Sequence, residues 1–353
     1  EIVAEVANSH QGKIKIAERI IRNFYTAGAR SIKFQIYFAE DFLTADHERF
    51  SHFKKQSFAE REWIKLIKLT RKTGYENIYA DILGIRAFKV AKKLNLNGYK
   101  IHSTDLTNDF LLKKLSQENK KIFLSAGGAK ITEIHHAIKF FKNKKNKPIL
   151  MHGFQSYPTK IEDTNLDNIK SLKKYFGNNC HYGFQDHISG NSRYNLYLSL
   201  VSLGQGIQYI EKHITLNRKK KGIDHYSSLE PKEFKTFCKV IKKSTEGISI
   251  NKSGFSDAED EYRKKTKKFW ILKKKLKKNS IIKSSNLDFK RINNKNKEPL
   301  FLKEIIGKKI NQSLDKNTII SNNHFDVKVY AMIVARFNSN RLPGKAMLKI
   351  TNK

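Results

Sequence analysis

The run IVAEV at residues 2–6, followed by KIKIAERIIRNFY at 13–25 and RSIKFQ at 30–35, has the pattern of a strand, a helix and a second strand. Both flanking runs are short and rich in apolar and β-branched residues, as buried strands are. The middle segment carries an apolar stripe at the i, i+4, i+5 and i+8 positions, formed by Ile16, Ile20, Ile21 and Phe24. This stretch therefore predicts one βα unit and the strand that follows it.

The same alternation continues to about Gly247. Eight strand-like runs can be drawn, at residues 2–6, 30–35, 77–81, 98–102, 121–125, 148–152, 181–186 and 208–213. Eight βα units within about 250 residues are typical of a TIM barrel, a (β/α)8 fold of the α/β class. A doubly wound open sheet is the alternative, but it typically has fewer strands and often a glycine-rich first turn, which is absent here.

A barrel places its active site at the carboxyl ends of the strands. The residues expected there are Glu5, Asn8, His10, Lys33, Gln35, Lys100, His102, Ser103, Asp105, Ser125, His152, Gln155, Tyr157, Asp186, His187, Glu211, Lys212 and His213. Any one of them could be an ordinary surface or hydrogen-bonded residue. A set so rich in His, Lys and carboxylates is better explained by a functional site.

The net charge of +37 in 353 residues is the most conspicuous feature of the composition. Lysine outnumbers arginine by 57 to 13, and the lysines are spread along the whole chain. A nucleic-acid interface would cluster arginine and aromatic side chains on one face. The densest basic block, residues 263–278, is predicted to be strand and turn. We therefore interpret the charge as solvated surface or as steering of anionic substrates, and expect no nucleic-acid partner.

No apolar run approaches the roughly 20 residues that cross a bilayer, and the first residues do not resemble a signal peptide. We expect no membrane partner. Cys180 and Cys238 are too few for a disulfide framework, which favours a reducing, cytoplasmic location.

Eight motifs, found at nearly every predicted strand end, resemble the sialic acid (N-acetylneuraminate) synthase family. In order they are AEVANSHQG (4–12), IKFQ (32–35), YKIHSTDLTN (99–108), FLSAGGAKITEI (123–134), YPTKIEDTNL (157–166), GFQDHISG (183–190), IEKHITL (210–216) and GIDHYSSLEPKEF (222–234). The resemblance covers residues 1–247. It implies that phosphoenolpyruvate condenses with an open-chain acylamino-hexose to give a nonulosonic acid and phosphate.

The resemblance also implies roles for individual residues. His187 and His213 match the metal pair of the family, and two protein ligands leave open positions that suit Mn²⁺ or Mg²⁺ better than a closed zinc site. The implied phosphoenolpyruvate-binding residues are Lys33, Lys100, Ser103, Ser125, Gln155 and Gln185. The implied sugar-binding residues are Tyr157, Asp224 and Arg291. Catalytic roles fall to Glu5, Asp105 and Asp224.

Four positions depart from the pattern of the family. Asp105 stands where glutamate is usual, and Asp81 lies where a Thr-Pro pair is expected. Gln155 replaces asparagine, and Gln185 replaces serine. We interpret these departures as a change of substrate in one pocket, so the sequence leaves open which amino sugar is used and whether it is phosphorylated.

The rest of the chain is expected to form further parts. Residues 248–265 are predicted to be a linker, and residues 266–326 resemble the small, β-rich antifreeze-like (SAF) domain that follows the barrel in this family. Within it, Arg291 matches the arginine that reaches into the barrel of the partner subunit, which implies a domain-swapped homodimer. An ordinary strand arginine is the alternative.

Residues 330–350 resemble the start of a cytidylyltransferase. They contain Arg336, Arg341 and Lys345, cations suited to a nucleoside triphosphate. Residues 327–353 are too few for that fold, so we expect a truncated, disordered and inactive start of a nucleotidyltransferase-like domain belonging to a longer polypeptide.

Two other functions are considered. A related phosphoenolpyruvate-dependent 3-deoxy-ulosonic acid synthase is disfavoured by the appended small domain. A non-catalytic basic binding protein on the same barrel is the alternative from a different class.

Overall fold

The computed structural model describes residues 1–142, 147–154, 156, 158–220, 222–248, 254–292 and 298–326. The chain divides into two compact units, Glu1–Ser249 and Ile250–Lys353. The predicted nucleotidyltransferase-like segment at 327–353 lies outside the described residues, as do Gln155 and Tyr157.

The first unit is a closed barrel of eight parallel strands that pair in sequence order, with the last strand returning to the first. The strands are β1 (Ile2–Glu5), β2 (Ser31–Tyr37), β3 (Asn77–Leu83), β4 (Gly98–Ile101), β5 (Lys121–Ser125), β6 (Ile149–His152), β7 (His181–Asp186) and β8 (Tyr209–His213). The predicted TIM barrel is confirmed. Every predicted strand is present, and its ends lie within one or two residues of the prediction.

Helices cover the outside of the barrel. They are α1 (Ile14–Thr26), α2 (Ala39–Phe42), α3 (Phe50–Gln56), α4 (Glu60–Thr73), α5 (Ile85–Lys93), α6 (Asp109–Ser116), α7 (Ile131–Lys139), α8 (Asn168–Phe176), α9 (Tyr194–Gly204) and α10 (Pro231–Ile248). The expectation of one helix for each strand is wrong between β2 and β3, where α2 and α3 precede α4. Phe42 and Phe53 stabilise this extra segment by packing edge-on against each other, with ring centroids 5.1 Å apart.

The interior of the barrel changes character along its axis. Near the amino ends of the strands it is filled by the apolar side chains Val3, Tyr79, Phe123, Ile149 and Met151. Side chains alternate across a strand, so the residues two positions further along also face inward. These include Glu5, Asp81 and Ser125, which are buried although they are polar. The barrel therefore has an apolar floor and a polar upper layer.

The second unit has its own core. It contains α11 (Asp257–Thr266), β9 (Lys268–Leu272) and β10 (Leu287–Arg291), and the two strands pair antiparallel. The buried apolar residues of this unit include Leu272, Ile282, Leu287, Ile305, Ile310, Leu314, Ile320 and Phe325.

Part of the basic block at 263–278 was expected to be strand and turn, and this is wrong for its first turn. Residues 263–266 belong to α11, and the expected linker ends within this helix, at residue 265. Ser256 caps this helix by accepting a hydrogen bond from the Glu259 backbone N–H at 3.2 Å. The Asp260–Lys264 pair, four residues apart at 2.5 Å, supports the helical form.

No helix among the described residues is long and apolar enough to cross a membrane.

Candidate active site

A buried cluster of charges occupies the polar upper layer of the barrel. The Lys33 ammonium lies 2.7 Å from Glu5 and 2.9 Å from Glu211, and 3.6 Å from Asp81. The Lys100 ammonium donates a hydrogen bond to the other oxygen of Glu211 at 2.7 Å. All five side chains are almost inaccessible to water. Five ionisable groups from five different strands therefore meet in one place.

Strand register explains this meeting. Glu5 on β1 lies opposite Lys33 on β2, and Asp81 on β3 lies opposite Lys100 on β4. Each pair of opposite residues points to the same side of the sheet. Glu211 on β8 projects between the two lysines and binds both of them, so it fixes their positions.

Burial and charge act in opposite directions on these groups. Burial and the neighbouring Lys100 lower the pKa of Lys33 to about 8, although Glu211 and Asp81 partly offset them. Burial also acts to lower the pKa of Lys100, but Glu211 and Asp81 outweigh it and raise this pKa. Burial acts to raise the pKa of Glu211, and the two ammonium groups reverse that effect and hold it well below its usual range. Lys100 and Glu211 are thus kept charged.

A pair of histidines lies beside this cluster. His187 directly follows β7 and His213 ends β8, and their ring centroids are 4.8 Å apart. Burial lowers the pKa of His187 to about 3 and that of His213 well below its usual value. Both imidazoles are therefore neutral at physiological pH, which is the state that binds metal ions.

The histidines fit a partial metal site. Both ring nitrogens of His213 are buried and have no hydrogen-bond partner among the described residues. Buried polar atoms are usually hydrogen-bonded, so such atoms indicate a ligand. No group of three His, Cys, Asp or Glu side chains in the described part of the chain is arranged to hold a metal. The pair can supply two ligands and leaves the remaining positions to substrate or water.

The backbone around the histidines is held firmly. Ser227 donates its hydroxyl to the His187 carbonyl at 2.6 Å. On the outer side of the strands, Lys212 and Asp186 form an ion pair at 2.6 Å, with both side chains fully buried. The Ser199 hydroxyl also donates to Asp186, at 3.1 Å. Each member of the ion pair is adjacent in sequence to one of the histidines.

Replacing Lys212 with methionine is expected to lower the free energy of unfolding by about 3–5 kcal/mol, because Asp186 would remain buried and uncompensated. Urea denaturation measures this loss. The control is Lys243→Met, since Lys243 and its partner Glu246 are both mostly exposed and such pairs contribute about 0–1 kcal/mol. Equal losses in the two variants would contradict the prediction.

A second polar group lies between β5, β6 and β7. The Gln185 amide donates to the Ser125 hydroxyl at 2.8 Å and to the carbonyl of Gly153. Gly153 has φ of +114°, and a Cβ there would lie 2.2 Å from the Gln185 carbonyl oxygen, so glycine is required. Ser103 lies half-buried in the turn after β4. Asp105, in the same turn, accepts a hydrogen bond from the Asn108 amide at 3.0 Å.

Asp224 lies in the short helix Ile223–Ser227, beside the turn that follows β1. Its carboxylate accepts the backbone N–H of Asn8 at 2.9 Å, and the Asn8 side-chain oxygen accepts the Tyr37 hydroxyl at 2.5 Å. Ala7, before Asn8, has φ of +42°, and its N–H donates to Glu5 at 2.6 Å. The turn after β1 thus orients Glu5 and Asp224 together.

The predicted site residues therefore form several groups. Glu5, Lys33 and Lys100 meet in the charge cluster, and His187 and His213 form a pair. Arg291 lies at the exposed end of β10, in the second unit.

Sequence reasoning placed Glu211 at a strand end but gave it no role. The signal was available, since Glu211 lies two positions before His213 on one strand and must share its face.

The three described departures lie at three different strands of the barrel. Asp81 lies in the lysine cluster, and Gln185 contacts Ser125. Asp105 contacts Asn108 in the turn after β4. The interpretation that these changes alter the substrate of one pocket stays a prediction.

A family model described as the NeuB family matches residues 20–251. The chain belongs to the NeuB family. Among its relatives is the N,N'-diacetyllegionaminic acid synthase of Campylobacter jejuni, 29% identical over 82% of this chain and 90% of that protein. Another is the pseudaminic acid synthase of Helicobacter pylori, 27% identical over 91% of this chain and 96% of that protein.

Solved structures agree with this membership. The N-acetylneuraminic acid synthetase of Leptospira borgpetersenii is 30% identical, with a TM-score of 0.68, over 74% of this chain and 90% of that one. A truncated 3-deoxy-D-arabino-heptulosonate 7-phosphate synthase of Thermotoga maritima is 17% identical, with a TM-score of 0.55, and shares the fold. The resemblance stated from the motifs is confirmed. This NeuB protein is an enzyme, a phosphoenolpyruvate-dependent synthase of nonulosonic acids.

Proposed function

We propose that the barrel joins carbon 3 of phosphoenolpyruvate to the aldehyde carbon of an open-chain acylamino-hexose, with residues of the upper layer in defined roles. The aldehyde oxygen gains a proton, water adds at carbon 2 and phosphate leaves. The observation that carries this proposal is the neutral pair His187 and His213 beside the buried cations Lys33 and Lys100. The two histidines would hold a Lewis acid, and the two lysines would hold an anion, at the same end of the barrel.

Phosphoenolpyruvate needs fixed positive charge and hydrogen-bond donors. We assign Lys33, Lys100, Ser103, Ser125 and Gln185 to it, and the expectation for Gln155 stays with them. Glu211 contacts both ammonium groups and fixes their positions. An anionic substrate must compete with Glu5 for Lys33, and this competition would release the Glu5 carboxylate for work on the second substrate.

His187 and His213 would hold a divalent cation, Mn²⁺ or Mg²⁺. When bound, this ion supplies Lewis acidity to the aldehyde oxygen. Neutral imidazoles fit such an ion, and the ring nitrogens of His213, which have no hydrogen-bond partner among the described residues, support this assignment. The surrounding backbone hydrogen bonds keep both rings in place.

The sugar is assigned to the side of the mouth that holds Asp224. Its carboxylate, oriented by the Asn8 N–H, would accept a sugar hydroxyl, and Tyr157 is proposed to contact the same substrate. Glu5 is proposed to move the proton, because it touches Lys33 and the strained turn at Ala7. Asp105 stays a proposed catalytic residue.

The test is an assay of the purified chain with phosphoenolpyruvate, Mn²⁺ or Mg²⁺ and a panel of acylamino-hexoses. We expect phosphate release that requires a sugar and is abolished by a chelator. One nonulosonic acid should form for each phosphate released. Turnover with short aldose phosphates alone would favour the 3-deoxy-ulosonic acid synthase. Absence of release with every sugar would favour a binding protein.

The ionisation of Lys33 predicts how the use of phosphoenolpyruvate depends on pH. Because its pKa is lowered to about 8, Lys33 loses its charge as the pH rises through that value, while Lys100 keeps its charge. We expect kcat/KM for phosphoenolpyruvate to fall above about pH 8, since this ratio reports the ionisation of the free enzyme. A profile that stays flat to pH 10 would contradict the assignment of Lys33.

We also propose that the second unit resembles an antifreeze-like domain and that Arg291 acts in the barrel of a partner copy. Co-expression of an Arg291→Ala chain with a Lys33→Met chain tests this in a domain-swapped dimer. In a mixed dimer, one of the two sites would then combine Lys33 of one chain with Arg291 of the other. Because about half of the dimers would be mixed, activity should return to about a quarter of the wild-type level. Each variant alone should be inactive. No recovery in the mixture would place Arg291 in its own barrel or outside the site.

Finally, we propose that the reaction takes place in the cytoplasm. Cys180 and Cys238 are free, buried thiols, and burial raises the pKa of each to about 12. Such thiols suit a reducing compartment.

A further inference from the structure

Asp81 is the member of the charge cluster to which the proposed function gives no role. The residue is 1% exposed, yet neither carboxylate oxygen has a hydrogen-bond partner among the described residues. The Lys33 ammonium lies 3.6 Å away, which is an ion-pair contact but too long for a hydrogen bond. A buried charge without hydrogen bonds is costly, so its presence calls for a functional explanation.

The order of the strands places Asp81 between the two lysines. β3 lies between β2, which carries Lys33, and β4, which carries Lys100. Asp81 is directly opposite Lys100 and, on its other side, opposite Gln35, which shares a face of β2 with Lys33. The negative charge of Asp81 acts on both ammonium groups and acts to raise the pKa of each.

The two lysines depend on a negative neighbour to different degrees. Lys100 donates a hydrogen bond to Glu211 at 2.7 Å, and its pKa is raised. Burial instead lowers the pKa of Lys33 to about 8, although Glu211 and Asp81 act in the opposite direction. Lys33 is therefore the lysine that would lose its charge first if a negative neighbour were removed.

The other two carboxylates beside Lys33 have second partners. Glu5 also accepts the Ala7 N–H at 2.6 Å, and an incoming anion must compete with it for Lys33. Glu211 is shared between Lys33 and Lys100. Asp81 has no hydrogen bond to give up among the described residues, so it can stay beside Lys33 while an anion binds.

The same charge also opposes the binding of an anion. Glu5, Asp81 and Glu211 are three carboxylates, and Lys33 and Lys100 are two ammonium groups, so the cluster has a formal charge of −1 before substrate arrives. Asp81 attracts the Lys33 ammonium and repels phosphoenolpyruvate. Because only the first effect depends on the ionisation of Lys33, the balance between the two effects changes with pH.

We infer that Asp81 is a positioning residue for phosphoenolpyruvate: it keeps the Lys33 ammonium charged and in place at weakly alkaline pH, where the site would otherwise lose this cation. This inference rests on the proposed function, which assigns Lys33 to phosphoenolpyruvate. The ionisable groups that surround Lys33 in the upper layer are Glu5, Asp81, Lys100, Glu211, His187 and His213.

The experiment measures the Kd of phosphoenolpyruvate by isothermal titration calorimetry between pH 6 and pH 9, with Mg²⁺ and without sugar. Comparing Asp81→Asn with the wild-type enzyme at each pH cancels the ionisation of phosphoenolpyruvate itself. An opposite charge nearby shifts a pKa by about 1–3, so Lys33 should lose its charge at least about one pH unit lower in the variant. The ratio of the variant Kd to the wild-type Kd should therefore rise about 10-fold from pH 6 to pH 9.

Two further variants serve as a second test and a control. Asp81→Thr also lacks the charge, and its Kd ratio should rise in the same way. Asp167→Asn removes a carboxylate that is mostly exposed and pairs with Lys170, so its ratio should stay near 1 at every pH. Thermal unfolding shows whether each variant is folded.

The outcomes separate this inference from the function on which it rests. A Kd ratio for Asp81→Asn that is constant from pH 6 to pH 9 would overturn the inference. A constant ratio above 1 would give Asp81 a purely structural role, and a constant ratio below 1 would make it only a repulsive charge. In both cases phosphoenolpyruvate still binds and the proposed function stands. If the wild-type enzyme neither binds nor consumes phosphoenolpyruvate, the proposed function fails, and the inference fails with it.

Discussion

Replacing His213 with alanine is expected to lower kcat/KM about 1,000-fold, because Lewis-acid stabilisation by a bound divalent ion is worth several kcal/mol. The His187→Ala variant should show a similar loss. Each change removes one of the two imidazoles that the structure places 4.8 Å apart, centroid to centroid. Mn²⁺ affinity, measured by the paramagnetic resonance signal of the free ion, should fall in parallel with activity.

A suitable control is His181→Ala. His181 begins β7 at the opposite end of the barrel and is exposed, so its loss should change neither activity nor Mn²⁺ affinity. Full activity in His213→Ala would refute the assignment of the metal. Lost activity with unchanged Mn²⁺ affinity would also refute it and would give His213 another role.

Replacing Lys33 with methionine is expected to reduce kcat/KM for phosphoenolpyruvate about 100-fold. Removing one partner of a buried charge pair costs about 2–5 kcal/mol, and each 1.4 kcal/mol is a factor of ten. Two effects add here. Phosphoenolpyruvate loses its contact with one cation, and Glu211 loses one of its two lysine partners. Lys100→Met should act in the same direction.

Lys121→Met is the matched control for both lysine variants. Lys121 begins β5 on the floor side of the barrel, where it pairs with Glu1 at 2.9 Å and remains about one-third exposed. Its loss should leave kinetics with phosphoenolpyruvate unchanged. Circular dichroism would show that each variant is folded. A folded Lys33→Met enzyme with normal kinetics would exclude Lys33 from the binding of phosphoenolpyruvate.

Two of the positions that depart from the family pattern contact other residues of the site. Asp81 and Gln185 contact Lys33 and Ser125, which are assigned to phosphoenolpyruvate. Changes at Asp81 are therefore expected to alter the kinetics of phosphoenolpyruvate more than the choice of sugar.

The sequence by itself determined the barrel. Its strands are buried on both faces, so they are short apolar runs separated by helical stripes, and this alternation is visible without coordinates. The same pattern located the strand ends, and with them Lys33, Lys100, His187 and His213. These residues were identifiable because a charged or imidazole side chain is unusual at the end of an apolar strand.

Only the tertiary structure decided which of these side chains act together. Closure of the barrel brings Glu211 from the last strand to Lys33 and Lys100, and a one-dimensional pattern holds no information about that contact. The pairing of Lys212 with Asp186 depends in the same way on the register of β7 and β8. A cavity beside Asp224 is a third case, because Phe42 and Phe53 reach its lining by packing on Tyr37 from separate elements. Local periodicity encodes elements, whereas a site is made by contacts between residues distant in sequence.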